Sequence, residues 1–286
     1  MIIFFESGRL GNQLFQYCAM RKFQHRARIV AIGMRELKDN FSGIDIVGAS
    51  KYGKIIQRII GSIGKNRIEY AAKKMRILTI VEEERTPTGI KFRVKRGLLS
   101  KLIYFKAGYY QSEDMIDDGI AKYIVLNKTN KEIAGQLSND IQGDKINRFF
   151  VHVRRGDYIN WPSRESPAVL PLSWYRAQMD NIRSKNQNAL FVVISDDKPY
   201  ADEFFSNEKD VVIVCGDLMN DFSVMTKCFG GGVLSASSIS WWASYFIRRD
   251  NPDAVFVAPK YWAGFRVGKW FPECICTSWI KYEDAF

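Results

Sequence analysis

The sequence predicts an α/β protein with two Rossmann-like domains that face a cleft, and three observations support this. From residue 149 onward, short apolar segments alternate with helical patterns, as in a parallel doubly wound sheet. Residues 2–32 show a strand, a glycine-punctuated turn, a helix and a second strand, which is a βαβ unit. A polar stretch rich in Asn and Lys, 128–147, separates the halves and predicts domains at 1–145 and 146–286.

The composition is that of a globular protein with an excess of positive charge. The chain has 286 residues, 47% of them hydrophobic, and a net charge of +11. Such a charge suits a nucleotide, a nucleic acid or an anionic membrane surface, and does not choose between them. The five scattered cysteines are typical of reduced thiols, and Cys274 and Cys276 lack a second pair at zinc spacing. No apolar run reaches the length of a membrane span or signal peptide, which predicts a cytoplasmic protein.

The N-terminal βαβ unit contains the first candidate binding residues. Residues 2–6 are predicted as a strand, 7–13 as a loop, 14–26 as a helix and 28–32 as a strand. The glycines do not have dinucleotide-fingerprint spacing, so a ligand-binding turn and a purely geometric turn both remain open. Asn12 and Gln13 place two amides at the start of the helix, which favours contact with a sugar or a phosphate.

The stretch Lys51–Arg76 alternates basic and apolar residues, and Glu69 is its one acid. The pattern predicts a basic amphipathic helix. Two interpretations remain open: the outer helix of a sheet layer, which is the commoner case, and a helix that rests on an anionic membrane. Residues 81–106 give no clear pattern.

The C-terminal half has a regular pattern of strands and helices. Strands are predicted at 149–153, 190–194, 211–215, 233–235 and 254–257, and helices at 173–183, 200–205, 222–228 and 240–249. The Trp241–Trp242 pair falls inside the last helix, where packing is the expected role.

The strand at 149–153 ends in the central candidate site. It is followed by Arg154, Arg155, Gly156 and Asp157, and fixed guanidinium groups beside a glycine turn suit a phosphate. A strand end with solvated arginines is the alternative. His152 lies in the strand itself, so it is either a core histidine or, beside Arg154, a ligand-binding one.

Two further strand ends supply polar groups. Asp196 and Asp197 follow the strand at 190–194; carboxylates there accept hydrogen bonds from guanine or ribose, or cap the next helix. Ser237 and Ser238 open the last helix, whose amino end with serine hydroxyls suits an anion. Arginines, carboxylates and a serine-capped helix together fit a nucleoside diphosphate.

Four segments resemble the successive motifs of the α-1,2-fucosyltransferases, glycosyltransferase family 11, in their bacterial form. They are Gly8-Arg9-Leu10-Gly11-Asn12-Gln13-Leu14-Phe15-Gln16-Tyr17, His152-Val153-Arg154-Arg155-Gly156-Asp157-Tyr158, Ser195-Asp196-Asp197 and Ser237-Ser238-Ile239-Ser240-Trp241-Trp242. Their order and spacing also fit, and the similarity spans nearly the whole chain. The family commonly has Asn before the two serines, whereas this chain has Ala236.

The resemblance implies a GT-B fold, GDP-β-L-fucose as donor, inversion at the transferred sugar and no required metal or other cofactor. It implies that Arg154 grips the donor β-phosphate. It further implies that His152 with Asp196 or Asp197 contacts the guanosine, while Ser237 and Ser238 bind the diphosphate. Gly11, Asn12 and Gln13 would face the fucosyl end from the N-terminal, acceptor-side domain, with Arg155 beside the donor in the GDP-sugar-binding domain.

The implied activity is that of a galactoside 2-alpha-L-fucosyltransferase, which moves L-fucose to O2 of a terminal galactoside. The expected acceptor belongs to a surface polysaccharide such as an O-antigen, built on a lipid carrier, so Lys51–Arg76 is expected to make peripheral contact with the inner membrane. Arg154 is predicted to stabilise the leaving diphosphate. Asp157 is predicted as general base, with bracing of Arg155 as its alternative. Another GDP-deoxysugar as donor and, more distantly, a non-catalytic nucleic-acid-binding protein are the alternative functions.

Overall fold

A computed structural model describes residues 1–47, 51–86 and 89–286, with the side chains of residues 51 and 52 left out. The side chain of Lys51, which begins the predicted basic stretch, therefore lies outside the described part. The chain forms two compact units, Met1–Asn127 and Lys128–Phe286.

The first unit is built on a five-stranded sheet in the order β2-β1-β6-β4-β5. In this order β2, β1, β6 and β4 run parallel to one another, and β5 at the edge is antiparallel to β4. A second, two-stranded antiparallel pair joins β3 and β7. The elements are β1 Ile2–Phe5, α1 Leu10–Phe23, β2 Ile29–Ile32, α2 Arg35–Asn40, β3 Phe41–Ser42, α3 Lys51–Ile63, α4 Lys65–Lys73, β4 Leu78–Thr86, β5 Gly89–Lys95, β6 Leu99–Phe105, α5 Asp118–Ala121 and β7 Val125–Leu126.

The basic stretch forms two helices rather than one. Gly64, with φ of 82°, separates α3 from α4, and glycine adopts this backbone conformation without a Cβ clash. Ile60, Ile68 and Ala72 on these helices pack with Ile3 and Tyr104 of the sheet. The helices therefore do form an outer layer of the sheet, as the commoner interpretation expects.

The second unit is built on a six-stranded, all-parallel sheet in the order β10-β9-β8-β11-β12-β13. Its elements are α6 Lys128–Asp140, β8 Arg148–Val153, α7 Leu172–Arg183, β9 Leu190–Ser195, α8 Lys198–Phe205, β10 Val211–Val214, α9 Leu218–Met225, β11 Gly231–Val233, α10 Ser238–Asp250, β12 Val255–Pro259 and β13 Ile280–Glu283. Trp241 and Trp242 are fully buried, so the predicted packing role is confirmed. The order places β8 in the interior of the sheet, between β9 and β11.

The domain boundary lies earlier than predicted, after Asn127 rather than after residue 145. Helix α6 packs against α9 and so belongs to the second unit. Arg148 at the start of β8 adds a buried connection, since its guanidinium donates to the carbonyl oxygens of Ser138, Ile141 and Gly143 at 2.5–2.7 Å. A polar composition marked residues 128–147 as a linker, yet their backbone carbonyls serve as the acceptors of a buried arginine.

Candidate active site

Three neighbouring strands of the second unit end at the same edge of the sheet. Strand β8 leads to Arg154, β9 leads to Asp196, and β11 leads through Ser235 to Ser237. The carboxyl edge of an open parallel sheet is where such folds bind ligands. The structure thus brings together Arg154, Arg155, Asp157, Asp196, Asp197 and Ser237, as the sequence predicts.

Arg154 lies at the centre of this edge between two carboxylates. Its Nη1 is 2.8 Å from Oδ2 of Asp196, and its Nη2 is 2.6 Å from Oδ1 of Asp157. The side chain is 20% exposed, whereas that of Asp157 is 63% exposed. Asp157 therefore pairs with Arg154 and not with Arg155, which corrects the bracing alternative considered for it. The guanidinium is oriented from two sides and remains in reach of solvent.

Arg155 has a separate partner, Asp197. Arg155 Nε donates to Oδ2 of Asp197 at 2.9 Å, and the guanidinium lies over the Tyr200 ring, 3.8 Å from its centroid. Asp197 is also the N-cap of α8, since its carboxylate accepts from the Tyr200 N–H at 3.1 Å. The hydrogen bond from Arg155 and, to a smaller extent, the one from the Tyr200 N–H hold the pKa of Asp197 below its usual value. This arginine thus braces a helix start, and the capping alternative for Asp197 is the observed one.

Asp196 connects the two arginines in a different way. Its second oxygen, Oδ1, accepts from the backbone N–H of Arg155 at 2.8 Å, so one carboxylate fixes both the turn and the Arg154 side chain. A Cβ on Gly156 would overlap Asp196 Oδ2, so a larger residue there would displace this carboxylate from its place beside Arg154.

The amino end of α10 forms the third side of the edge. Ser237 caps the helix, with its hydroxyl accepting from the Ile239 N–H at 3.4 Å, and Ser238 is the first helical residue. The hydroxyl of Tyr158 donates to the carbonyl oxygen of Ala236 at 2.8 Å, and the Tyr158 ring lies 5.6 Å from the Arg154 guanidinium. Burial raises the pKa of Tyr158, which keeps its hydroxyl a donor. The helix end and Arg154 are thereby connected through one tyrosine.

His152 lies beneath the site rather than in it. Its side chain is 5% exposed, and its Nδ1 is 2.9 Å from the hydroxyl of Ser235. Burial, with a smaller contribution from Arg154, lowers the pKa of His152 to about 3, so the ring is neutral. Its observed contact is structural, because it holds the segment that leads to Ser237. Contact between His152 and the guanosine of a donor stays a prediction.

In the first turn of α9, the helix that follows β10, lies a half-buried carboxylate, Asp221. It accepts from the Gly216 N–H at 2.8 Å. Burial raises the pKa of Asp221 to about 6, although the Gly216 bond opposes the shift. A carboxyl group whose pKa is raised in the folded state makes stability fall as pH rises from the unfolded pKa, near 4, to about 6.

We expect Asp221→Asn to remove this pH dependence. The amide oxygen can still accept from the Gly216 N–H, while no buried charge forms above pH 6. The variant should be about 1 kcal/mol more stable than the wild type at pH 7.5 and nearly equal to it at pH 4, since each pKa unit corresponds to about 1.4 kcal/mol before solvent screening. Urea unfolding at both pH values measures the difference. An equal difference at the two pH values would contradict the assignment.

The predicted N-terminal binding residues lie in the first unit, and the helix begins earlier than expected. Gly11, Asn12 and Gln13 form the first turn of α1, not a loop. Gln13 is 3% exposed; its amide donates to Oε2 of Glu6 at 3.3 Å and accepts from the Leu37 N–H at 3.1 Å. Oδ1 of Asn12 accepts from Nε2 of Gln111 at 2.7 Å. These contacts show that Gln13 ties α1 to β1 and α2, and substrate binding by the three residues stays a prediction.

Three residues at the second unit's edge were not singled out by the sequence analysis as site residues. Tyr158 stands inside a motif segment and Ser235 stands next to one, and that adjacency is the sequence signal; their contacts with Arg154 and His152 appear only in the folded chain. Asp221 also has a sequence signal, since the spacing of Asp217, Asp221, Met225 and Cys228 resembles the family's pattern before its last motif, but its burial comes from the fold of β10 and α9. Burial of a carboxylate depends on residues distant in sequence.

Two kinds of feature, a metal site and a membrane-spanning helix, are absent from the described residues. Among them, no group of three or more His, Cys, Asp or Glu side chains lies close enough together to hold a metal ion. Within the same ranges, no helix combines the length and apolar character that crossing a bilayer requires.

Sequence comparison places this site in a family context. The profile of the family described as glycosyl transferase family 11 matches residues 73–269. The O-antigen biosynthesis glycosyltransferase WbnK of Escherichia coli is 25% identical, over 90% of this chain and 93% of that protein. An alpha-1,2-colitosyltransferase of the same organism is 30% identical over 48% of each chain. Galactoside alpha-(1,2)-fucosyltransferase 1 of Plecturocebus brunneus is 23% identical over 86% of this chain, which spans 65% of the primate protein's length.

A solved structure supports the fold at low sequence identity. POFUT1 in complex with GDP aligns with a TM-score of 0.51 and 13% identity, covering 88% of this chain and 94% of that one. The predicted fold class, α/β of the GT-B type with two Rossmann-like units, is confirmed. Because the family profile matches well over half of the chain, including β8 with Arg154, the protein belongs to glycosyl transferase family 11.

Proposed function

We propose that this glycosyltransferase moves L-fucose from GDP-β-L-fucose to O2 of a terminal galactoside, with inversion at the transferred carbon. The observation that carries the proposal is Arg154, held between Asp157 and Asp196 at the carboxyl edge of a parallel sheet in a family 11 protein. A planar guanidinium fixed from two sides, next to the amino end of α10, suits the diphosphate of a nucleotide sugar.

The named relatives support the donor and acceptor classes. One is described as a galactoside alpha-(1,2)-fucosyltransferase and one as an O-antigen glycosyltransferase, and the solved structure with the matching fold was determined with GDP. An O-antigen or similar surface polysaccharide is accordingly our proposed acceptor. The family assignment leaves no basis for the alternative of a non-catalytic nucleic-acid-binding protein.

A second candidate donor is another GDP-deoxysugar. The observation in its favour is the 30% identity to an alpha-1,2-colitosyltransferase over 48% of the chain. A pocket distinguishes two sugars that differ by one hydroxyl group only if its polar groups contact that hydroxyl. Related GDP-deoxysugars are therefore the expected competitors of GDP-fucose.

The proposed chemistry needs a stabilised leaving group and an acceptor oxygen that loses its proton. In the inverting reaction, the acceptor oxygen attacks the anomeric carbon while the bond to the β-phosphate oxygen breaks on the opposite face, and GDP leaves with the electron pair. Arg154, Ser237, Ser238 and the amino end of α10 would stabilise the negative charge on GDP. Asp157 would take the acceptor proton, being the more exposed of the two carboxylates on Arg154.

The direct test is release of GDP from a panel of GDP-sugars, with and without simple galactosides, in the presence of EDTA. We expect release from GDP-fucose that rises when a galactoside is added and is unaffected by EDTA. NMR of the product should show an α-linkage to O2. Release from a different GDP-deoxysugar alone would assign the second candidate donor, while release abolished by EDTA would show that a metal ion takes part.

We expect Asp157→Asn to lower kcat by about 10²–10⁴-fold, the range for loss of a general base. The substitution keeps the shape of the side chain and an oxygen that can accept from Arg154 Nη2. Steady-state kinetics with saturating donor and acceptor measure the effect, and an isothermal titration with GDP checks that the donor site persists. If turnover matches the wild type, another group accepts the proton.

A further inference from the structure

The apolar side of α3 is wider than the sheet surface that it covers. Ile56 and Ile60 pack on the sheet. Ile55, Ile59 and Ile63, spaced four residues apart, are 49%, 55% and 43% exposed. Residues four apart lie on one side of a helix, so the three isoleucines form a continuous apolar stripe in solvent. A helix that only had to cover a sheet would not need this second apolar row.

Two more exposed apolar residues adjoin the end of the neighbouring helix. After α4, Met75 is 57% exposed, and in the turn between β5 and β6, Leu98 is 86% exposed. The Leu98 N–H donates to the carbonyl oxygen of Arg76 at 2.8 Å, which fixes this turn next to Met75. We call the exposed set Ile55, Ile59, Ile63, Met75 and Leu98, with the basic residues around it, the basic apolar face.

The charge around these residues is almost wholly positive. Nine exposed basic residues belong to the face: Lys54, Arg58, Lys65, Arg67, Lys73, Lys74, Arg76, Arg96 and Lys101. Glu69, the one acid between Lys51 and Arg76 in the sequence, is bonded to Lys73 and to the Tyr104 hydroxyl. An apolar stripe framed by cations, of which Lys73 is paired with Glu69, is complementary to a bilayer with anionic headgroups.

We propose that the basic apolar face docks the protein on an anionic membrane, with the aliphatic side chains in the headgroup region and the cations on lipid phosphates. Charge complementarity favours this occupant over a second copy of the chain, since two such faces would repel each other. The exposed apolar set is aliphatic, with Tyr70, 60% exposed, as the one exposed aromatic among the described side chains of α3 and α4. This composition favours a membrane over single-stranded nucleic acid, which binds by stacking on several aromatic side chains. The proposal does not depend on the identity of donor or acceptor.

Sedimentation with lipid vesicles tests the proposal on the full chain. We expect binding to vesicles of phosphatidylcholine mixed with phosphatidylglycerol, little binding to phosphatidylcholine alone, and weakening by salt. The variant Arg58→Glu/Lys74→Glu should weaken partitioning at least about tenfold, because each basic residue near an anionic surface contributes a factor of about five. The matched control, Lys131→Glu/Lys209→Glu, makes the same charge change on exposed residues of the second unit and should weaken it far less.

The apolar contribution needs its own pair of variants. Leu98→Ser should weaken vesicle binding severalfold, whereas Val267→Ser, which removes a 58% exposed side chain from the second unit, should not. Activity on a soluble acceptor should stay at the wild-type level in both, which separates this proposal from the proposed function. Three outcomes would overturn the proposal: no vesicle binding, equal weakening by the control variants, and an Ile59-dependent dimer in analytical ultracentrifugation without vesicle binding.

Discussion

Arg154→Ala is expected to reduce kcat/KM for the GDP-sugar by about 10²–10³-fold, equivalent to about 2.7–4 kcal/mol of transition-state stabilisation. The guanidinium is the one described cation that Asp157 and Asp196 hold from both sides at the carboxyl edge of the second unit's sheet. Its removal takes away a preorganised donor fork where the leaving diphosphate would gain charge. It also leaves two carboxylates facing that same diphosphate. Both consequences act against departure of GDP.

One further variant shows whether the planar shape of the Arg154 guanidinium or its charge alone supports activity, and a second serves as a control. Arg154→Lys keeps one positive charge but loses the planar fork, so we expect most of the activity to be lost as well. Arg176→Ala removes an exposed arginine of the same unit that bonds Glu208 and Phe204, and it should leave kcat/KM unchanged. Steady-state kinetics and GDP titration, with circular dichroism as a check on folding, supply the data. Turnover like the wild type in Arg154→Ala would refute the proposed role.

Gly231→Ala is expected to destabilise the second unit by about 2–5 kcal/mol, combining backbone strain with overpacking. Gly231 has φ of 128°, a conformation that L side chains rarely adopt, and a Cβ there would overlap the Val255 carbonyl of the adjacent strand. Because β11 joins β8 to β12 and leads to Ser237, the loss should also reduce activity.

Gly135→Ala is the matched control for this substitution. Gly135 lies in α6 of the same unit, and apart from its chain neighbours and the backbone of its own helix, no described atom lies within 4 Å of the position its Cβ would take. Alanine is favoured over glycine inside a helix, so this variant should be up to about 1 kcal/mol more stable. Urea unfolding compares the two. An unchanged midpoint in Gly231→Ala would show that β11 can shift without cost.

The strands of the second unit, including the glycine strand β11, show what could be predicted from the sequence and what could not. Strands β8, β9 and β10 were predicted to within one residue at each end, and β12 to within two, because continuous runs of Val, Ile and Phe are the pattern of buried parallel strands. Strand β11 begins two residues earlier than predicted, at Gly231. Glycine is depleted in strands, and the Phe150 ring and the Val255 backbone that exclude a side chain here come from elsewhere in the chain.

For the candidate site, the location could be predicted from the sequence, but the pairing of its side chains could not. Its location at three strand ends followed from strand prediction together with polar residues directly after each strand. Individual partners did not follow, because they depend on register: the pairing of β8 with β9 sets Val153 opposite Ser195 and so brings Arg154 to Asp196. For His152, a core role and a ligand contact were both left open, and the structure shows that it is buried like every other residue of β8, a strand that is covered on both faces of the sheet.

Nη2 of Arg154 donates to Asp157, so a phosphate oxygen that bound at this nitrogen would compete with that carboxylate, and the competition would affect the order of events in a catalytic cycle. If a phosphate oxygen takes the place of Asp157 on Nη2, the arginine exchanges one anion for another and the carboxylate is set free. Asp157 would then become available to accept a proton only after the donor has bound. An enzyme of this design would keep this carboxylate in an ion pair until a donor phosphate displaces it. Binding of the donor, rather than of the acceptor, would be the step that frees the Asp157 carboxylate to act as base.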